Sequence, residues 1–325
     1  MTTTSPGNGA ESSENAATFP VARRRVDRFD TVTLLSDLGN GSEQAGVVRA
    51  TINEIAPDAK VIDLTHDIAP FDVRGGSLAL ARAAVYLNNG VIIAAVDPGA
   101  GPGRRLIGVE VAEGRGIFLG PDNGLLAPAV AITGGAERAV VLDRQDLQLL
   151  SPGEVFAARD VLAPVAAALC IGADLFEVGT PVDPGTLLPG VVPIAREENG
   201  GLACEVLWVD RFGNCQLNIG PEDLESTWGP GVSRLRVTFG DVTRNVPVVR
   251  GFGDLGVGGL GLVIDSAGLL CLAVERGSAS RDLPLGEGDQ VLVHHVPAHQ
   301  GENSDGDSGV STKVTTTVDA PRKRT

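Results

Sequence analysis

VIIAAVDPGAGPGRR, residues 91–105, is the stretch on which the fold turns. Its first six residues, Val91 to Val96, are apolar and mostly β-branched, the composition of a strand buried on both faces of a mostly parallel sheet. The run stops at Asp97-Pro98-Gly99, because Pro has no N–H for the ladder and Gly admits a tight turn. A carboxylate therefore sits at the carboxyl end of a core strand, with Arg104 a short loop away, and in open α/β sheets that edge is where ligands bind. Two other segments repeat the design. TVTLLSDLGNG puts Asp37 after a strand at 31–36, and GIFLGPDNGLL puts Asp122 and Asn123 after a strand near Ile117. Each alone is an ordinary turn; together they predict one rim.

Working outward, residues 30–187 alternate strand and helix. A helix is expected at 43–55, with Val47, Val48, Ile52 and Ile55 on one face, then a strand at 61–66 and a helix over 75–87. Further strands are expected near 105–111, 116–119 and 138–143, and a helix over 159–171 in which Pro164 marks an irregular first turn. Pro181, Pro184, Pro189 and Pro193 then crowd a linker, after which the texture changes. Short strands at 204–210, 215–219, 233–239, 245–250, 259–265, 268–274 and 290–296 alternate with turns, and helix signals are scarce. The expected architecture is an N-terminal α/β domain (29–187) with a mostly parallel central sheet, followed by a C-terminal all-β barrel domain (188–298). Polar tails over 1–28 and 299–325 read as disordered, the first ending in Arg23, Arg24 and Arg25.

Composition narrows the function. The chain has 325 residues, 43% of them hydrophobic, and a mean hydropathy of +0.13, which suffices for two cores. No apolar run approaches the roughly 18–20 residues of a membrane span, and the N-terminus lacks the apolar core of a signal peptide. A net charge of −15 argues against a nucleic-acid partner. Cys170, Cys204, Cys215 and Cys271 are scattered without CxxC spacing, as in a reduced, cytoplasmic protein, and read as packing residues with no zinc or disulfide role. Phosphate binding is disfavoured: GAGPG at 99–103 precedes another strand, GFGDLGVGGLG at 251–261 reads as a loop of the β-domain, and lysine occurs only at 60, 313 and 323. No GxSxG elbow occurs. His66 reads as a hydrogen-bonded structural residue, and His294, His295 and His299 lack a carboxylate neighbour, so no metal site is expected. Aromatics are few, which makes Phe71, Trp208 and Phe212 ligand platforms to weigh against a core role.

Asp97 with Arg104 can orient a water molecule or tie down a loop, and the residues alone leave both open. In the second domain VDRFGNCQLNI (209–219) gathers Asp210, Phe212 and Asn214 around a turn. An amide edge and an aromatic face suit a purine, and a carboxylate suits an ammonium; a plain hairpin with Gly213 at positive φ fits as well.

SDLG (36–39), IDLTHDIAPFDV (62–73), DPGAGPGRR (97–105), PDNGLL (121–126), FAARDVLAPVA (156–166), DRFGN (210–214) and DSAG (265–268) occur in the order and spacing of one family. Over about residues 30–296 the sequence resembles the S-adenosylmethionine (SAM) hydroxide adenosyltransferases, the adenosine-forming SAM hydrolases related to fluorinases and chlorinases. The resemblance implies attack of water on C5′ of SAM, giving adenosine and methionine, without cofactor or metal. It also implies a homotrimer with sites between the N-domain of one subunit and the C-domain of its neighbour. Residue by residue, Asp97 and Arg104 match two members of the hydrolases' Asp-Arg-His set, and Asp37 the carboxylate that holds the ribose hydroxyls. Phe71 matches an aromatic beside the substrate, and Asn123 falls in the matching PDNGLL segment. Asp210 matches the acceptor for the methionine ammonium and Ser266 a contact for its carboxylate. Phe212 and Asn214 match adenine contacts, with Ser278 and Ala279 at the purine edge. Two positions depart: Ala157 stands where the hydrolases' histidine would be, and Ala158 where a serine often contacts halide. The first leaves open a second reading, a SAM-binding module of weak or no activity. A third, a SAM-dependent halogenase, is disfavoured because halogenating relatives carry an uncharged residue at the position of Asp97.

Overall fold

The ends of β-strands carry Asp37, Asp97 and Asn123, so the sheet is described first. The computed structural model describes residues 29–87 and 89–297; the tails, the arginine triplet and His299 lie outside them. The chain divides into two units between Pro193 and Ile194. In chain order the first contains β1 (Thr31–Ser36), α1 (Glu43–Ile55), β2 (Lys60–Thr65), α2 (Val73–Ala84), β3 (Gly90–Ala95), β4 (Leu106–Val111) and β5 (Gly116–Pro121). It continues with α3 (Ala127–Ile132), β6 (Arg138–Val141), α4 (Ala163–Cys170) and β7 (Thr180–Val182).

The strands form one sheet in the order β2-β1-β3-β5-β4-β6-β7. The first four are mutually parallel, and β4, β6 and β7 extend the sheet antiparallel. Period-two alternation sends Val32, Leu34, Val91 and Ile93 to one face, where they meet Val48 and Ile52 of α1 and Ala166 and Leu169 of α4. Leu35, Ile92 and Ala94 go to the other face, against Leu80 of α2 and Val130 of α3. Helices on both faces explain why β3 reads as an unbroken apolar run.

Ser42 caps α1 by accepting the Gln44 N–H at 3.1 Å, and Asp72 caps α2 by accepting the Gly75 N–H at 2.8 Å. The buried stripe of α1 is narrower than its sequence predicts. Ala45, Val48 and Ile52 are buried, whereas Val47 and Ile55 lie at the solvent edge, 37% and 36% exposed. Strand β7 forms inside the proline-rich stretch taken as linker, on the edge of the sheet, where a missing N–H is tolerated.

The second unit contains β8 (Arg196–Glu198), β9 (Gly201–Val209), β10 (Cys215–Leu217), α5 (Pro221–Trp228), β11 (Arg234–Phe239) and β12 (Val242–Val249). After these come β13 (Leu260–Ile264), β14 (Leu270–Val274), α6 (Ala279–Asp282) and β15 (Gln290–His295). The order β10-β14-β13-β12-β11-β15-β9 returns to β10 through a β9–β10 pairing, so seven strands close a barrel and β8 adds an edge strand. Leu202, Cys204 and Val206 of β9, Leu235 and Val237 of β11 and Val291 and Val293 of β15 fill it. Helix α5 was not foreseen, although its start is written in the sequence. Pro221 occupies the first turn, and Asp223 accepts the Gly220 N–H at 2.7 Å.

Burial pushes the thiols of Cys204, Cys215 and Cys271 up to about 12, and Cys170 is buried as well. At pH 8 only about one in ten thousand of such thiols is ionised. A thiol reagent at pH 8 should therefore leave the native protein unmodified and titrate all four cysteines after denaturation; rapid modification of the folded protein contradicts this packing. In the first unit Arg138 bridges buried Glu110, at 2.9 Å from Nε, and Asp174, at 3.1 Å. The bond to Glu110 is the largest cause that holds the guanidinium above the ordinary arginine value. Arg138→Met should destabilise the protein by about 3 kcal/mol in urea unfolding, because Glu110 is left buried without its partner. Adding Glu110→Gln should restore most of the loss.

Candidate active site

Asp97 follows β3 after one residue, Val96, where the peptide leaves the sheet. Its carboxylate takes the Arg104 guanidinium with both oxygens, Nε to Oδ2 at 3.0 Å and Nη2 to Oδ1 at 2.5 Å. The intervening loop is shaped around this fork. The Gly99 N–H donates to Asp97 Oδ1 at 3.2 Å, and a Cβ at Gly99 would lie 3.2 Å from the guanidinium carbon, close enough that the arginine would have to shift by a few tenths of an ångström. The carboxylate is 13% exposed and the guanidinium 34%, which leaves the pair open to a ligand on one side.

That open side faces a cavity of about 380 Å³, lined by Asp97, Arg104, Gln148, Ser151, Glu154 and Ala157 among others. Part of the cavity lining, at Ala157, Asp160 and Val161, is built by an irregularity. Residues Ala158–Leu162 form a π-type turn that leads into α4. Pro164 has no N–H to give the Asp160 carbonyl, and that carbonyl accepts the Leu149 N–H at 2.9 Å instead. Arg159 grips the Asp160 carboxylate at 2.6 and 3.0 Å and reaches Ser151 Oγ at 3.0 Å. The 148–151 loop is thereby tied to the turn that carries Ala157. The expected irregularity at Pro164 is present, but the wall it builds from Gln148, Ser151 and Glu154 is not legible in the sequence. A proline one helical turn after an Arg-Asp pair was the available signal.

Asp37 ends β1 next to β3 in the sheet. Its Oδ2 accepts the Phe71 N–H at 2.9 Å. Phe71 has φ +69°, a left-handed conformation costly for a side chain of its size, and its ring is 68% exposed. Asp37 and Phe71 thus form one unit. Asp122 and Asn123 serve the rim as braces. Asp122 is buried, pairing with Arg105 at 3.0 Å and accepting the Leu188 N–H at 2.8 Å. Asn123 donates from Nδ2 to the Val96 carbonyl at 3.0 Å and accepts the Leu125 N–H at 3.1 Å, which ties the end of β5 to the residue before Asp97. His66 is buried and hydrogen-bonded, as expected.

In the second unit Asp210 organises the turn between β9 and β10. Its carboxylate accepts the Phe212 and Asn214 N–H groups at 2.8 and 2.9 Å and the Asn214 side-chain amide at 2.8 Å. Asn214 is buried, whereas the Phe212 ring stands 74% exposed. Gly213 has φ +84°, and a Cβ there would fall 2.0 Å from Ser278 Oγ. Ser280 N–H donates to the Gly213 carbonyl at 2.8 Å, so the turn and the 278–280 segment are in contact. Ser278 caps α6 and Ala279 is fully buried. Ser266 is exposed in the turn after β13, which is built around Asp265. Gln216 Nε2 donates to Asp265 Oδ2 at 2.5 Å and links this turn to β10. The Gln216 Oε1 atom is the one buried side-chain acceptor without a partner among the described residues, a feature the sequence reading missed. Among the described residues no cluster of histidine, cysteine and carboxylate groups could hold a metal.

Comparison with known proteins assigns both units to one family. Residues 32–179 match the SAM hydroxide adenosyltransferase N-terminal domain and residues 204–292 the C-terminal domain. An (R)-S-adenosyl-L-methionine hydrolase of Salinispora arenicola is 39% identical over 262 residues, 81% of this chain and 97% of that protein. A fluorinase of Actinoplanes sp. is 26% identical over 81% of this chain and 96% of its own length. The crystal structure of an uncharacterized conserved protein from Thermotoga maritima superimposes with a TM-score of 0.75 at 33% identity, covering 81% of this chain and all of that one.

The strain at Phe71 is testable without any ligand. Because its ring is exposed and its backbone left-handed, Phe71→Gly should leave the thermal midpoint unchanged or raise it, glycine's extra chain entropy offsetting the released strain. A fall of more than about 5 °C contradicts this geometry.

Proposed function

From the premise that this chain belongs to the SAM hydroxide adenosyltransferase family over both its units, we propose that it is an S-adenosyl-L-methionine hydrolase, releasing adenosine and L-methionine. The observation that carries the reading is the bidentate Asp97–Arg104 pair on the wall of a cavity large enough for part of the substrate and a water. Arg104 fixes the plane of the carboxylate, leaving Asp97 a lone pair with which to accept one hydrogen of that water. The water oxygen attacks C5′ in line with the sulfonium. The C5′–O bond forms as the C5′–S bond breaks, its electron pair goes to sulfur, and methionine leaves as a neutral thioether. The proton released from water passes to Asp97 or onward to solvent. The sulfonium charge disappears in this step, so a water-poor site favours the transition state, and holding the water in line supplies much of the remainder.

Around this centre Asp37 takes the ribose hydroxyls, Phe71 flanks the sugar and Asn123 braces the strand end. Asp210 receives the methionine ammonium and Ser266 its carboxylate. Phe212 and Asn214, with Ser278 and Ala279, frame the adenine. The exposure of the Phe71 and Phe212 rings fits surfaces that a substrate or a neighbouring subunit covers. We place the protein as a cytoplasmic homotrimer, with each site shared between the N-domain of one subunit and the C-domain of the next. No helix among the described residues is long and apolar enough to cross a membrane.

Ala157 favours a second reading. It sits on the cavity wall with Asp97 and Arg104 and offers no group to relay a proton, which suits a SAM-binding module that turns over slowly or not at all. Chromatography of protein incubated with SAM separates the two. The hydrolase reading expects adenosine, a loss of about 100-fold in Asp97→Ala, and a faster rate in Ala157→His. Calorimetric binding of SAM without adenosine, or undiminished release from Asp97→Ala, overturns it.

A further inference from the structure

Strand β1 and strand β2 end side by side, and their pairing slips by one residue there: Leu34 faces Asp63, whereas Leu35 faces Thr65. Such a slip re-aims the side chains that follow it. The next residue of β1, Ser36, meets the residue after β2, His66, with Ser36 Oγ 2.7 Å from His66 Nδ1. On the far side of the ring, His66 Nε2 lies 3.0 Å from Asp63 Oδ1, and the other oxygen of Asp63 takes Arg49 of α1. Ser36 and His66 are 3% and 5% exposed, whereas the Asp63 and Arg49 side chains lie at the surface, so the inner end of this chain of groups is closed to solvent and Ser36 is no nucleophile.

The partners decide where the protons lie. A carboxylate can only accept, so in the neutral imidazole Nε2 carries the ring hydrogen and Nδ1 is the acceptor. The Ser36 hydroxyl must then donate to Nδ1, and its oxygen accepts the Leu38 N–H at 3.3 Å. Asp37 lies between Ser36 and Leu38, inside the small ring that this bond closes. The backbone of the same histidine adds a second tie, its carbonyl accepting the Gly39 N–H at 2.7 Å. Opposite, the Ile68 N–H reaches the Ser36 carbonyl at 3.4 Å and the Phe71 N–H reaches the Asp37 carboxylate.

We infer that His66 is a positioning residue for the substrate nucleoside, acting through Ser36 to aim the Asp37 carboxylate at the ribose hydroxyls. The inference rests on the assignment of Asp37 to the ribose made above. Arg49 and Asp63 hold the imidazole in one tautomer, the imidazole fixes the rotor of the Ser36 hydroxyl, and that hydroxyl sets the peptide from which Asp37 projects. Phe71 is carried along because its strained backbone hangs from the same carboxylate.

Comparing the affinities of adenosine and 2′,3′-dideoxyadenosine by calorimetry tests this, because only adenosine can engage Asp37. The wild type should prefer adenosine by about tenfold or more, as expected for hydrogen bonds to a charged group, and Asp37→Asn sets the floor of that ratio. His66→Ala should bring the ratio close to that floor while its affinity for the dideoxynucleoside stays within about threefold of wild type. His66→Asn, whose amide oxygen can take the Ser36 hydroxyl, should recover most of the preference. Ser36→Ala should lose it as His66→Ala does, and serves if the latter fails to fold. Preservation of the wild-type ratio in His66→Ala or Ser36→Ala, or an equal loss for both nucleosides, overturns the inference. A wild type that does not distinguish the two overturns the ribose role of Asp37 itself, and this proposal with it.

Discussion

The fork between the Asp97 carboxylate and the Arg104 guanidinium is the interaction on which the N-terminal site depends. Two hydrogen bonds at a strand end fix both charged planes at once, and the loop between them turns through Gly101 and Gly103, both at positive φ. Burial of β3 in a sheet covered on both faces gives the acid a rigid mount. A carboxylate so placed has little freedom to follow its ligand. In the proposed reaction the geometry of the attacking water is therefore set by the fold before the substrate arrives.

The rest of the rim follows the same principle of backbone bracing by acids and amides. Asn123 spends both ends of its amide on the chain around Asp97, and Asp122 is consumed by Arg105 and the Leu188 N–H. Asp37 holds up a strained Phe71; in the second unit, taken by itself, Asp210 folds its own turn through three hydrogen bonds. An acidic protein of net charge −15 thus uses part of its carboxylate excess as internal scaffolding. The cationic substrate proposed here meets carboxylates that are already oriented.

Much of this was legible in the sequence, and for physical reasons. Strand β1 and helix α1 fall on the expected residues because both bury an apolar face that their periodicity announces. The Asp97–Arg104 pair was legible because a strand end followed by Pro and Gly has few conformations open to it. The width of a helix stripe was not legible, since the solvent edge of α1 is decided by how α4 and the sheet close over it. Helices α5 and α6 are not legible because short helices hide among strands. The cavity wall was invisible because the Asp160 carbonyl, left free by Pro164, takes its partner from Leu149 in an earlier loop. The Ser36–His66–Asp63 chain depends on a one-residue slip between two parallel strands, which no local pattern announces.

The most direct test of the central claim is the fate of oxygen during turnover of SAM in water enriched in oxygen-18. Attack of water at C5′ predicts one labelled oxygen in each adenosine formed, located on the 5′-hydroxyl by mass spectrometry of the fragments, with none in methionine. Adenosine without label, or label delivered to the amino-acid product, would contradict the account.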